Sequence, residues 1–237
     1  MTTSKRIKTL ISASALVLAS ASTMAQEMSI TVTNLTQGLH FTPILTSAHT
    51  SNNHIFMSGE AATAELQMMA EGGDISGLVS MLGNADANNS ENPAAGLLAP
   101  GMSATYTLTN DSANTHLSMV TMILPSNDGF VGLDSWEIPT EAGTYTINLN
   151  AYDAGTEANN ELRGSGAPGV TGMPVPPPLE ASYGMNGTGI TDTESNTLVH
   201  IHRGSLGDDM TDGGKSDVNN SVHRWLNPVA KLTVTIQ

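Results

Sequence analysis

The sequence predicts an all-β chain, an antiparallel β-sandwich with one or two short helices in a connection. Three observations point to it. Several segments alternate apolar and polar residues at a period of two, as strands with one buried face do. Long amphipathic helices are scarce. Thr, Asn, Ser and Gly are abundant, Thr suiting the polar faces of strands and Asn, Ser and Gly the turns between them.

The chain opens on a leader. Lys5, Arg6 and Lys8 form a basic stretch, and Thr9 to Ala21 are almost wholly apolar or small. Ser22-Thr23-Met24-Ala25 then places small residues at the −3 and −1 positions of a cut after Ala25. This is the pattern of a cleavable secretory signal, and its apolar core is too short for a spanning helix. Residues 1–25 therefore read as a signal peptide and 26–237 as one β-sandwich domain. No cysteine follows the apolar run, which excludes lipid attachment at a new N-terminal cysteine, and no other stretch is apolar enough to cross a bilayer. The expected location is outside the cytoplasm, periplasmic or secreted.

The strands follow in order. In Met28–Leu35, Ile30 and Val32 face one way and Ser29, Thr31 and Thr33 the other. A helix is expected over Glu60–Ala70, stopped by Gly72-Gly73, and a second over Ser76–Leu82. The methionines there read as packing rather than as a cofactor site. Asn84–Pro100 reads as a long loop. Ser103–Thr109 alternates again, and Leu117–Leu124 is a near-continuous apolar run fit for a central strand. Between them, Asn110–Asn114 reads as a hairpin loop. Thr144–Tyr152 alternates with Tyr145, Ile147, Leu149 and Ala151 on one face. Arg163–Gly189, with Pro174, Pro176, Pro177 and Pro178, reads as a flexible excursion without regular structure. Leu198–Arg203 is a short mixed strand, and Ala230–Gln237 closes the chain with Ala230, Leu232, Val234 and Ile236 inward.

Composition narrows the function. There are 8 Lys+Arg against 22 Asp+Glu, a net charge of −14. Three of the basic residues lie in the leader and none of the acids do, so the remainder is more acidic still. Such a field repels phosphates and disfavours nucleic acid and anionic membrane surfaces. Cations are its natural partners, although acidity also serves solubility alone. The absence of cysteine excludes thiol catalysis, disulfides and cysteine metal sites. No G-x-S-x-G elbow, H-E-x-x-H or phosphate loop is present, so the chain reads as non-catalytic.

Three carboxylates stand at strand ends. Asp128 follows the apolar strand in Pro125-Ser126-Asn127-Asp128-Gly129, and Asp153 and Glu157 follow the next in Tyr152-Asp153-Ala154-Gly155-Thr156-Glu157. If the two loops meet, they assemble hard oxygen ligands of the kind calcium takes, completed by backbone carbonyls and water. Gly129 and Gly155 let carbonyls turn inward. Without a metal the carboxylates repel one another, and at least one pKa rises. The plainer reading is of acids that form turns.

At these residues a family is recognisable. Pro125–Asp134 and Tyr152–Glu157 resemble the spondin domain, whose pattern is roughly P-S-x-D-W-F-V-G followed by W-D-A-G-T-D. Ile30–Thr36, with Phe41-Thr42-Pro43, and Trp225–Leu232 are similar to bacterial members. The resemblance implies a C2-like sandwich that binds calcium at one end, its ligands carried over onto Asp128, Asp153 and Glu157. It also implies adhesion or ligand binding, to an extracellular protein, a glycan or an anionic ligand. The chain departs from the pattern at Gly129, at Tyr152 and at Glu157, and it lacks the disulfides and thrombospondin-type repeats of animal members.

The histidines offer an alternative. His200 and His202 lie two apart on a strand and share a face, and His223 follows beyond an acidic loop. Such a set suits zinc or copper, in a transition-metal protein or an enzyme. The bland reading is of hydrogen-bonded structural histidines.

Overall fold

The computed structural model describes residues 25–237, so the expected signal peptide lies outside the described residues except for Ala25. Among the described residues no helix is long and apolar enough to cross a membrane. In chain order come β1 (Glu27–Asn34), β2 (His40–Phe41) and β3 (Leu45–His49). Two helices follow, α1 (Ala64–Gly72) and α2 (Ser76–Gly83). The central strands are β4 (Asn88–Glu91), β5 (Ser103–Thr109), β6 (His116–Leu124), β7 (Gly129–Glu137) and β8 (Gly143–Asp153). Beyond them lie two short parallel strands, β9 (Arg163–Gly164) and β10 (Met173–Pro174), and a 3-10 turn at Pro177–Ser182. The two-residue β11 (His200–Ile201) and then β12 (Ala230–Ile236) complete the chain.

One antiparallel sheet runs β4-β3-β6-β7-β8-β12-β1-β5, with β2 beside β6 and β11 beside β8. It folds over on itself, and its two edges meet through side chains. Thr46 of β3 and Tyr106 of β5 share a hydrogen bond of 2.5 Å, and Asn88 of β4 bonds both the backbone and the carboxylate of Asp111 beyond β5. The period of two sets what lies between the faces. Met28, Ile30 and Val32 of β1 stand opposite Ile236, Val234 and Leu232 of β12, all buried. Each such side chain contributes about 1.5–3 kcal/mol on burial. Outward on the same strands the hydroxyls pair with β5, Thr31 to Thr105 at 2.9 Å and Thr33 to Ser103 at 2.8 Å.

The apolar run of β6 has two partners. Leu117, Met119 and Ile123 point into the sandwich, while Val120, Met122 and Leu124 join a second core under the helices. That second core holds Leu66 and Met69 of α1 and Leu78 and Leu82 of α2. The Thr63 side chain caps α1 by accepting from Leu66 N, so the helix begins later than the composition suggests. Gly73 ends it in the left-handed conformation at φ +72°.

The structure corrects several expectations. Asn110–Asn114 is no hairpin, because β5 pairs with β1 and β6 with β3 and β7, so the segment crosses between the faces. Asparagine side chains shape it instead: Asn110 Nδ2 donates to Asn114 O at 2.7 Å, and Asn114 Nδ2 to Asp86 O at 2.8 Å. Asn84–Pro100 contains the edge strand β4, and Arg163–Gly189 contains β9, β10 and the 3-10 turn. The stretch after Asp128 is a strand from Gly129 onward, with Phe130 in the helix-side core and Val131 in the sandwich core.

Candidate metal centre

The sheet register assembles the site. Gly129 on β7 and His200 on β11 both pair with Asp153 on β8, one from each side. Asp128, one residue before β7, and His200 therefore flank Asp153. The loop bearing Asp128 is closed by Ser126, whose Oγ donates to Ile123 O at 2.6 Å and accepts from Gly129 N at 3.0 Å. The Asp153 loop turns at Gly155, φ +70°, where a Cβ would stand 2.6 Å from the Thr197 carbonyl carbon. Gly129 replaces the aromatic of the family pattern, and His202 accounts for it. A Cβ there would meet Ser126 Oγ at 2.8 Å and His202 Cδ2 at 3.2 Å, with Trp225 behind the imidazole at 4.9 Å between ring centres.

Asp128 is wholly buried. Its Oδ2 accepts from Thr156 N at 2.8 Å, Thr156 Oγ1 at 3.3 Å and Glu157 N at 3.2 Å. Its Oδ1 is buried and has no hydrogen-bond partner. Burial first, and the neighbouring Asp153 second, push its pKa up to about 8 against the pull of the Thr156 and Glu157 amides. Asp153 is also buried; its Oδ1 accepts from Gly155 N at 2.9 Å and its Oδ2 from Asn159 Nδ2 at 2.7 Å. Glu157 turns elsewhere. Its Oε1 accepts from Asn127 Nδ2 at 2.8 Å and from Gly172 N, and its Oε2 is buried without a partner. Burial raises its pKa, the two donors oppose this, and Glu71 adds to it. Asp128 and Asp153 thus come together, while Glu157 meets them through its backbone N–H. Among the described residues no three His, Asp or Glu side chains are grouped so as to hold a metal ion.

The histidines divide by tautomer. His200 and His202 both aim Nε2 at Asp153 Oδ2, at 3.8 and 3.9 Å. His200 Nδ1–H donates to Leu198 O at 2.8 Å, which leaves Nε2 a free lone pair. His202 is the reverse: its Nδ1 accepts from Gly204 N at 2.9 Å, so the proton sits on Nε2. Burial, His200 and Arg203 hold His202 neutral, its pKa pushed down to about 3. His223 Nδ1 likewise accepts, from Asn219 N at 3.2 Å, and its ring packs edge-on against Tyr183. Two of the three candidate imidazoles therefore carry N–H where a metal needs a lone pair.

Other acids bond to loop backbone. Buried Glu161 accepts from Leu206 N, Gly207 N and Ser216 Oγ. Asp217 accepts from Arg163 N and Gly187 N, and Asp208 from Met210, Lys215 and Ser216 N. Sequence reasoning missed this set; its signal was acids recurring among glycines where no strand takes up the amides. A serine–histidine pair, Ser118 Oγ to His49 Nε2 at 2.7 Å, is wholly buried and joins β6 to β3.

Residues 5–168 match the Spondin_N family, well over half of the 237 residues. Asp128, Asp153 and Glu157 fall inside the match. His200, His202, His223 and β12 fall beyond it, although β12 pairs with both β1 and β8. No curated protein matches the chain. A β-rich antiparallel fold with paired acids at the ends of neighbouring strands, together with this match, places the chain in the spondin N-terminal domain family.

Proposed function

We propose that this chain is a non-catalytic, calcium-binding module that works outside the cytoplasm, exported through residues 1–25. It uses one end of the sandwich for adhesion or for holding an extracellular protein, glycan or anionic ligand. The observation that carries the calcium reading is Asp128 Oδ1, buried beside Asp153 with no donor. A cation there neutralises two facing carboxylates and supplies the missing partner. Asp128 and Asp153 hold the ion, with backbone carbonyls and water completing the oxygen set. The carboxylate of Glu157, with Oε2 free, joins once it turns from Asn127. Calcium would then stiffen the loops 126–132 and 153–157, and it would leave an open position for an anionic group. The family match supports a module of this kind.

The test is a thermal melt of EDTA-treated protein with calcium added back. At a calcium concentration a hundred times the dissociation constant, stability rises by about 2.7 kcal/mol. Asp153→Asn abolishes the shift. A melt that calcium does not move, or that moves equally in the variant, overturns the reading.

A further inference from the structure

The far side of Asp153 has a different chemistry. There a cavity of about 340 Å³ is lined by Asp153, His200, Glu194, Arg203, Asn159 and Thr191, among others. Two ligand atoms already face each other on its wall, His200 Nε2 and Asp153 Oδ2, 3.8 Å apart. Metal–ligand bonds to zinc are about 2.0–2.2 Å, so atoms at this separation both reach one ion. The His200 ring is fixed by its bond to the Leu198 carbonyl, the arrangement by which metal-bound imidazoles are oriented.

We infer that His200 and Asp153 form the core of a second site, distinct from the calcium site, that takes a zinc-like divalent transition ion from this cavity. Glu194 is the third protein ligand. In the unloaded chain it is not yet grouped with the other two: its Oε1 accepts from Asn196 N at 2.8 Å and its Oε2 shares the Asn159 amide with Asp153, at 3.5 Å against 2.7 Å, and binding draws it in by a rotation of its side chain. Water fills the remaining position, which makes the site open rather than closed. His202 is a positioning residue. Its buried Nε2–H has no partner and lies 3.9 Å from Asp153 Oδ2, where it supports the carboxylate from behind. It is no ligand, because Gly204 N–H occupies its other nitrogen. A nitrogen ligand disfavours calcium and favours zinc, which separates the two faces of Asp153.

The experiment uses cobalt(II) and zinc alone on the full chain. Cobalt gives visible ligand-field bands of a four- or five-coordinate centre, and zinc displaces it. His200→Ala abolishes the bands, Glu194→Gln weakens binding, and His202→Gln weakens it about tenfold, as loss of an outer-shell partner does. Asp128→Asn leaves the bands intact, so failure of the calcium reading does not remove them and their absence does not touch that reading. A measurement on the unmodified chain guards against a variant that misfolds. Zinc shifts the ¹⁵N resonance of His200 Nε2, while His202 and His223 stay protonated at Nε2. Bands that survive in His200→Ala, or a zinc shift at another histidine or at none, overturn the proposal.

Discussion

Asp128 meets Asp153 across the β7–β8 pairing with one carboxylate oxygen, Asp128 Oδ1, buried and without a donor. An asparagine at 128 keeps an oxygen for the Thr156 and Glu157 amides and offers N–H₂ toward Asp153. In chelated protein Asp128→Asn therefore raises stability, by roughly 1–2 kcal/mol or a few degrees of melting temperature. The sign with pH follows from the raised pKa. A folded pKa of about 8 means that the native state holds the proton better than the unfolded chain, so wild-type stability is lost as pH rises through 8. The advantage of the variant is small near pH 4, grows as pH rises toward 8 and levels off above it. Melts of the two proteins in EDTA across that range check it, and an advantage that shrinks with pH refutes it.

His223 has the opposite sign. Burial, with a smaller push from His40, lowers its pKa to about 4, and its ring packs on Tyr183. The folded state binds this proton less well than the unfolded chain, so stability is full above about 6.5 and is lost as pH falls toward 4. His223→Asn keeps an acceptor for Asn219 N–H and removes the titration. The difference in melting temperature between wild type and variant should shrink steadily from pH 7 to pH 4, with the buried His202 present in both.

The edges of the folded sheet are joined by Thr46 and Tyr106, 2.5 Å apart. Tyr106 is partly buried against the sandwich core, and the loss of water around its hydroxyl drives its pKa well above the usual phenol value and keeps it protonated. Tyr106→Phe leaves the ring and strands Thr46. The expected loss is about 0.5–1.5 kcal/mol, since Thr46 is wholly buried but small. Chemical denaturation with an unchanged m-value checks that the loss is one of stability and not of compactness.

The long alternating strands were legible because their period of two is a direct image of burial: β5 begins and ends where the pattern does, and β1, β8 and β12 are within a residue or so. Three strands of four residues or more were not. Leu45–His49 and Asn88–Glu91 owe their form to pairing with each other and, for the first, with β6, and Gly129–Glu137 opens on residues buried on both faces, Phe130 under the helices and Val131 in the sandwich. Partnership of that kind is tertiary and leaves no local period. At the site, the strand ends placed Asp128 beside Asp153. What the spacing did not carry was direction: Glu157 points to Asn127 and Gly172, and the tautomers of His202 and His223 are set by the distant amides of Gly204 and Asn219 only once the loops close.

The acidity itself yields the last prediction. Read along the chain, the acids suggested cations or solubility. In the fold, Glu161 is buried with its two oxygens on Leu206 N at 2.6 Å, Gly207 N at 2.8 Å and Ser216 Oγ at 2.6 Å. The segment from Arg163 onward has few strand partners for its amides, and carboxylates take their place. Glu161→Gln is isosteric but turns an N–H₂ toward donors, so at least one buried N–H loses its acceptor. The expected cost is about 2–3 kcal/mol, or on the order of 5–10 °C in melting temperature. Asp209→Asn, at an exposed position of the neighbouring turn, changes the charge by the same amount and should shift the melt by less than about 0.5 kcal/mol. Equal effects of the two substitutions would mean that net charge, and not the bonds to the loop, sets the stability.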